Sequence, residues 1–208
     1  MISISLVDDH TIVRDLMTGI ISANDDMMID HSFGTGEELI ENLEKLTSDI
    51  ILMDISLPGL DGLETTRIIR EHNCDIPVLV LTMHLNAAVM QRAFKAGVNG
   101  YAVKHDPFYV LSDGIRDVVA GKRFISQAMD KTVKQSREAS EMLARLSPRE
   151  REIMLFVAMG KTAQDIAGEL SISERTVDFH RRNIGEKTGL RKIADIVKFA
   201  VENNLIDT

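Results

Sequence analysis

Apolar and polar positions follow two alternating rhythms up to residue 120 and a single one after residue 145. Ile2 to Val7 alternates and then turns apolar, ending in Asp8-Asp9, which predicts a strand that carries two carboxylates to its carboxyl end. Thr11 to Ala23 then places Ile12, Val13, Leu16 and Ile20 at helical spacing. A weaker strand over Met28 to Phe33 stops at Gly34 and Gly36, and Leu39, Ile40, Leu43 and Leu46 predict a helix over Glu37 to Leu46. In Asp49-Ile50-Ile51-Leu52-Met53-Asp54, four consecutive apolar residues are too few for a helix and read as a strand buried on both faces. Pro58 and Gly59 mark its exit into a loop. A helix from Gly62 to Glu71, a buried strand Val78-Leu79-Val80-Leu81 ending at Thr82, and a helix from Ala87 to Ala96 follow. A short strand from Gly100 to Val103 ends at Lys104, and a last helix runs from Pro107 to Ala120.

Five strands alternating with five helices predict an α/β fold, a doubly wound five-stranded parallel sheet, because parallel strands need helical crossovers. Asp8, Asp9, Asp54, Thr82 and Lys104 each follow the last apolar residue of a strand. In such a sheet they converge on one edge, where open parallel sheets bind their ligands. Gly121 to Arg145 has few large apolar residues and is rich in Lys, Gln, Ser and Glu, so it reads as a linker, helical from about Asp130. From Leu146 the pattern is all helix. Ser147-Pro148-Arg149-Glu150 starts one with a serine cap, a first-position proline and an acid in the first turn. Thr162 caps the next, Ser171-Ile172-Ser173 turns, and a third runs from Glu174 to Thr188. The expected organisation is therefore 1–120, a linker at 121–145, and a small all-α domain at 146–208.

Length and charge sharpen this picture. At 208 residues the chain suffices for two modest domains. No apolar run approaches the roughly 20 residues of a membrane span, and the start lacks a basic segment ahead of its apolar one, so a cytoplasmic protein without membrane contact is expected. A single cysteine, Cys74, fits a reducing compartment. The net charge of −8 lies wholly in residues 1–145, with 14 Lys+Arg and 22 Asp+Glu, whereas 146–208 hold 10 of each. Within 175–192 six basic residues face two acidic ones, Asp178 and Glu186, which points that segment toward nucleic acid.

Three carboxylates in one crevice repel one another unless a cation sits among them. Mg²⁺, a hard ion that takes one or two carboxylates with water and phosphate oxygens, is the expected cofactor. Lys104 suits a phosphoryl oxygen or a carboxylate, and the Thr82 hydroxyl could hydrogen-bond an added phosphoryl group. An aspartate as phosphoryl acceptor is known chemistry. An enzyme acting on an external substrate is not expected: an aspartyl-phosphate hydrolase usually has a second acid two residues after its nucleophile, and position 56 is Ser. The six histidines show no metal spacing.

In the third helix of the back domain, Val177, His180 and Ile184 share one face, with His180 read as a satisfied structural histidine. Asp178, Phe179, Arg182 and Asn183 share the opposite one. An exposed phenylalanine amid basic residues makes sense in a DNA major groove. There Phe179 could meet a thymine methyl, Arg182 a guanine edge or phosphate, and Asp178 a cytosine amino group, while Arg181, Lys187, Arg191 and Lys192 contact phosphates.

Asp8-Asp9, Asp54 with Pro58-Gly59-Leu60-Asp61-Gly62 behind it, Thr82, and Tyr101 three residues before Lys104 resemble the receiver domain of two-component response regulators. Leu146-Ser147-Pro148-Arg149-Glu150, Gly160, Ile166-Ala167, Leu170, Ile172-Ser173, Thr176-Val177, His180, Ile184 and Lys187 resemble the LuxR/NarL-type helix-turn-helix. Together they cover nearly the whole chain and identify it as similar to NarL/FixJ-type response regulators. The resemblance implies a flavodoxin-like receiver phosphorylated at Asp54 by a sensor histidine kinase. It also implies Mg²⁺ on Asp9, Asp54 and the Ser56 backbone carbonyl with Asp8 assisting, Lys104 as phosphate contact, and Thr82 and Tyr101 as switch pair. Phosphorylation would draw that pair inward and change the surface of 86–119.

The same resemblance makes 174–188 the recognition helix, with Arg175 and Thr176 beside the residues above. Its partners would be double-stranded promoter DNA and, at the promoter, RNA polymerase, with a homodimer forming on phosphorylation. Two positions depart from the family pattern: His105 stands where many receivers have a proline, and Asp178 where a basic residue is common. The alternative readings are a phosphorylation-independent DNA-binding regulator whose receiver serves only for dimerisation, and a phosphate-relay or protein-interaction adaptor that no longer binds DNA.

Overall fold

The computed structural model describes residues 1–83, 85–203 and 205–206. They divide into two compact units, Met1–Val133 and Lys134–Thr208. No helix among the described residues is long and apolar enough to cross a membrane.

In the first unit the chain alternates strictly: β1 (Ile2–Val7), α1 (Thr11–Ser22), β2 (Met27–Phe33), α2 (Gly36–Glu41), β3 (Ile50–Asp54), α3 (Gly62–Glu71), β4 (Val78–Thr82), α4 (Ala87–Lys95), β5 (Gly100–Val103) and α5 (Phe108–Val119). All strand pairs are parallel, in the order β2-β1-β3-β4-β5-β6, where β6 is Phe124–Ile125. Period-two alternation sends each strand's side chains to opposite layers. Ile51, Met53, Val78, Val80, Tyr101 and Val103 pack in one core with Leu39, Leu63, Ile69 and Met90. Ile4, Leu6, Ile50, Leu52, Leu79 and Leu81 pack in the other with Ile21, Leu111 and Ile115.

The sheet has six strands, not the five expected. Two residues are too few to show a period, so β6 exists through its pairing alone: Gly100 faces Phe124 and Tyr101 faces Ile125. The Ser126 N–H then donates to the Tyr101 carbonyl at 3.0 Å. Helix α6 (Gln127–Ala144) starts there, three residues before the expected Asp130, with Met129 fully buried in the first core. The helix expected over Glu37 to Leu46 stops at Glu41 and continues as a 3₁₀ turn over Leu43–Lys45. Asn42 ends it, its Nδ2 donating to the Glu38 carbonyl at 2.8 Å.

The second unit packs α7 (Pro148–Ala158), α8 (Ala163–Leu170), α9 (Glu174–Thr188) and α10 (Ile193–Glu202) around Ile153, Met154, Val157, Ile166, Val177, Ile184, Ile196 and Ala200. Helix α10 was not anticipated, although Ile193, Ile196, Val197 and Ala200 carry its spacing. The α8–α9 turn needs a left-handed residue, Ser171 at φ 53°, and Ser173 then caps α9 through the Thr176 N–H.

The start of α7 is more than a local cap. The Ser147 hydroxyl accepts from the Glu150 N–H, and Glu150 Oε2 accepts from the Ser147 N–H at 2.8 Å. The same Oε2 accepts from Lys187 Nζ at 2.7 Å, which ties α7 to the end of α9. Burial alone pushes the Glu150 pKa up, but Lys187 and both Ser147 groups outweigh it and hold the carboxyl at about 2, against an ordinary 4.5. A folded-state pKa below the unfolded one means stability present above pH 4.5 and lost as pH falls toward 2. The contribution is about 2–3 kcal/mol. Glu150→Gln is therefore expected to lower the urea midpoint of this unit at pH 7 and to match the native chain near pH 2. Parallel pH profiles of the two proteins would contradict this.

Candidate functional site

The order β2-β1-β3 reverses direction at β1, so the helices after β1 and β3 leave on opposite faces and open a crevice at the strands' carboxyl ends. Asp8 and Asp9 leave β1 there and Asp54 ends β3. Asp54 is in register with Leu81, and Thr82 with Val103, so Thr82 and Lys104 emerge at the same edge. Lys104 Nζ donates to Asp8 Oδ2 at 2.6 Å and to Asp54 Oδ2 at 2.7 Å. One ammonium thus bridges two carboxylates that are almost fully buried, at 1% and 4% side-chain exposure. Burial pulls the Lys104 pKa down, but the hydrogen bonds and charges of Asp54 and Asp8 outweigh it and leave the pKa above its ordinary value.

Several backbone devices fix these groups. The Ser56 N–H donates to Asp54 Oδ1 at 3.3 Å. Asp61 caps α3 through the Leu63 and Glu64 N–H groups, and the Gly62 N–H donates to the Ile55 carbonyl at 3.0 Å, which presses the start of α3 against the end of β3. Gly59 takes φ 74° in the loop between them, and Glu37 Oε1 accepts from the next N–H, that of Leu60, at 3.0 Å. No cis peptide bond occurs among the described residues, so the Lys104–His105 bond is trans. Asp106 holds the turn instead, its Oδ2 accepting from the Val103 N–H at 3.0 Å.

Tyr101 is fully buried in the first core. Burial raises its phenol pKa and the Thr82 hydroxyl pulls it part of the way back. Its oxygen nonetheless makes no hydrogen bond within ordinary distance and angle limits among the described residues. Tyr101 thus lies inside the core in this structure. Its partner Thr82 is also buried, at 3% exposure.

Three neighbours of the pocket were not anticipated. Arg14 Nη1 donates to the Asp8 carbonyl at 2.5 Å, Asp106 holds β5 as described, and His10 joins the acidic cluster. The absence of metal spacing among the histidines was the wrong test for His10. Its partners are carboxylates: Nδ1 lies 2.7 Å from Asp9 Oδ1 and 3.4 Å from Asp8 Oδ1. The Asp-Asp-His run itself was the available signal. The donor set of Asp8, Asp9 and Asp54, with ligand atoms within 4.8 Å of one another, fits a hard divalent ion.

In the second unit, α9 buries Val177 and Ile184 and presents Phe179 at 58% exposure, with Arg175, Asp178 and Arg182 also exposed. Asp178, Arg181, Arg182, Gly185, Glu186 and Arg191 line an open groove of about 600 Å³. Asp178 pairs with Arg181 at 3.8 Å. The Thr176 hydroxyl is engaged with Ser173 at 2.8 Å, and the Lys187 ammonium with Glu150. His180 Nδ1, expected to be satisfied, is buried without a hydrogen-bond partner among the described residues.

Residues 4–115 match the family described as response regulator receiver domain, and residues 144–200 match bacterial regulatory proteins of the luxR family. The chain is 30% identical to response regulator GacA of Pseudomonas aeruginosa, over 100% of this chain and 99% of GacA. It is 31% identical to response regulator protein VraR of Staphylococcus aureus, over 99% of each. RcsB of Salmonella enterica serovar Typhimurium, solved bound to promoter rprA in the presence of the phosphomimetic BeF3−, shares the fold. Its TM-score is 0.60 at 23% identity, over 97% of this chain and 99% of that one. The receiver match covers the doubly wound unit and the luxR match the helical one, and the chain belongs to the NarL/FixJ family of response regulators, with a receiver and a LuxR-type DNA-binding domain.

Proposed function

We propose that this chain regulates transcription and that Asp54 accepts a phosphoryl group from a sensor histidine kinase. The observation that carries the reading is the shared edge, where Asp8 and Asp54 sit 2.6 and 2.7 Å from one ammonium, that of Lys104. In the transfer an Asp54 carboxylate oxygen bonds to phosphorus while the phosphorus–nitrogen bond of the kinase phosphohistidine breaks. The electron pair stays on the imidazole, which takes up a proton. Lys104, already within hydrogen-bond reach of Asp54, then holds a phosphoryl oxygen, and the Thr82 hydroxyl is the candidate donor to another. Asp9 and Asp54, with the Ser56 carbonyl and Asp8 beside them, would hold Mg²⁺. Bound there, the ion supplies neutralisation of the charge on the phosphoryl oxygens.

Residues 1–120 form the receiver in this reading, 121–145 the linker and 146–208 the promoter-binding part. Helix α9 enters the major groove, with Asp178, Phe179 and Arg182 toward base edges and Arg175, Arg181, Arg191 and Lys192 toward phosphates. Thr176 and Lys187 face the DNA with side chains already engaged by Ser173 and Glu150. Binding is to paired half-sites as a homodimer formed on phosphorylation, with RNA polymerase met at the promoter. The test is the intact mass of the chain after incubation with a small phosphodonor and Mg²⁺. The native chain is expected to gain one phosphoryl group and Asp54→Asn none; an unmodified native chain, or a modified variant, would overturn the assignment.

A further inference from the structure

A carboxylate stands among the cations of α9. Residues 175–192 hold six basic and two acidic side chains, and Asp178 is the acid that shares a face with Phe179 and Arg182. Its side chain is 65% exposed, and Arg181 holds it only loosely, at 3.8 Å. The helix takes its cap from Ser173, whose hydroxyl accepts from the Thr176 N–H, and its core contacts from Val177 and Ile184. Neither the cap nor the core calls for an acid at 178. The same groove is lined by Arg181, Arg182 and Arg191 as well as Asp178, so the carboxylate lies where the cations would bring DNA.

Against DNA this carboxylate enters the field of the phosphates and is repelled by it. An N–H donated from a base edge offsets that cost. In the major groove guanine presents N7 and O6, and thymine presents O4, all of them acceptors that repel a carboxylate further. Adenine offers its N6 amino group beside the N7 acceptor, which opposes the second carboxylate oxygen. Cytosine offers its N4 amino group beside a C–H and opposes neither. We infer that Asp178 is the specificity-determining residue of α9: it selects a cytosine at one position of each half-site by weakening every sequence that lacks one there. Phe179 and Arg182 beside it add apolar and cationic attraction, whereas Asp178 turns a wrong base into a repulsion. The inference rests on the reading of α9 as the helix that enters the major groove of promoter DNA.

The experiment selects binding sites from a pool of random duplex DNA with the full chain in beryllium fluoride and Mg²⁺, for the native protein, Asp178→Ala and Asp178→Asn. Affinity for an unselected random duplex is measured alongside at fixed salt. The native chain is expected to enrich a half-site with one cytosine favoured about tenfold or more over the other bases. In Asp178→Ala that position alone loses its preference, and the random duplex binds about threefold tighter because a repelling charge is gone. In Asp178→Asn the same position changes to adenine, whose N6 and N7 pair with a carboxamide. An enriched site whose base preferences are the same in the native chain and Asp178→Ala, or an Asp178→Ala protein that binds all sequences more weakly, would overturn the inference and leave α9 as the DNA-binding helix. A native chain that enriches no sequence would overturn it together with the promoter-binding reading.

Discussion

Lys104→Met is expected to destabilise the first unit by about 3–5 kcal/mol in the absence of divalent ions, because one partner of a buried ionic cluster is removed. Methionine keeps the length of the side chain and none of its charge. It leaves the Asp8 and Asp54 carboxylates, at 1% and 4% exposure, facing each other without a cation. Two further measurements separate this cause from simple loss of packing. Millimolar Mg²⁺ is expected to restore much of the stability, and Asp8→Asn in the Lys104→Met background is expected to restore part of it by removing one of the repelling charges. Urea unfolding followed by circular dichroism reads all three. A cost below about 1 kcal/mol, the range of an exposed pair, would show that the ammonium contributes no more than a surface contact does.

Gly62→Ala is expected to disturb the proposed phosphoryl acceptor, Asp54, without touching a polar group. A Cβ at this position would lie 2.0 Å from the Asp54 carbonyl oxygen and 2.9 Å from Met53 Cγ, so the start of α3 must move away from the end of β3. Overpacking of this kind costs about 1–3 kcal/mol or more. A displacement of about 1 Å at Asp54 would slow its labelling by a small phosphodonor by about 100-fold. Gly19→Ala is the control, since nothing lies within 4 Å of a Cβ there. That variant, on the exposed side of α1, is expected to gain up to about 1 kcal/mol from helix propensity and to label normally. Equal labelling rates in Gly62→Ala and Gly19→Ala would mean that the α3 contact does not position Asp54.

The two central strands that frame the pocket, β3 and β4, were legible because each is a run of apolar residues buried on both faces, closed by a polar residue. Ile50 to Met53 before Asp54 and Val78 to Leu81 before Thr82 leave no other reading. What stayed hidden depends on partners remote in sequence. Strand β6 is two residues long and exists only through its pairing with Gly100 and Tyr101. The Ser147–Glu150 cap could be read from spacing, but Lys187, 37 residues away, could not be seen to occupy the same carboxylate. Side-chain direction was equally invisible: spacing places Tyr101 before Lys104 but does not say that its ring lies inside the core. His10 was overlooked because metal spacing was sought among histidines, whereas its neighbours in the fold are aspartates.

The central claim is that the chemical state of Asp54 sets how tightly α9 holds promoter DNA. Its most direct test is the affinity of the full chain for a promoter fragment at fixed salt, with and without beryllium fluoride and Mg²⁺, for the native protein and for Asp54→Asn. A coupling of about 1–3 kcal/mol predicts a gain of about 5- to 150-fold for the native chain and none for the variant. Equal affinities with and without the phosphoryl analogue, or the same gain in Asp54→Asn, would contradict it.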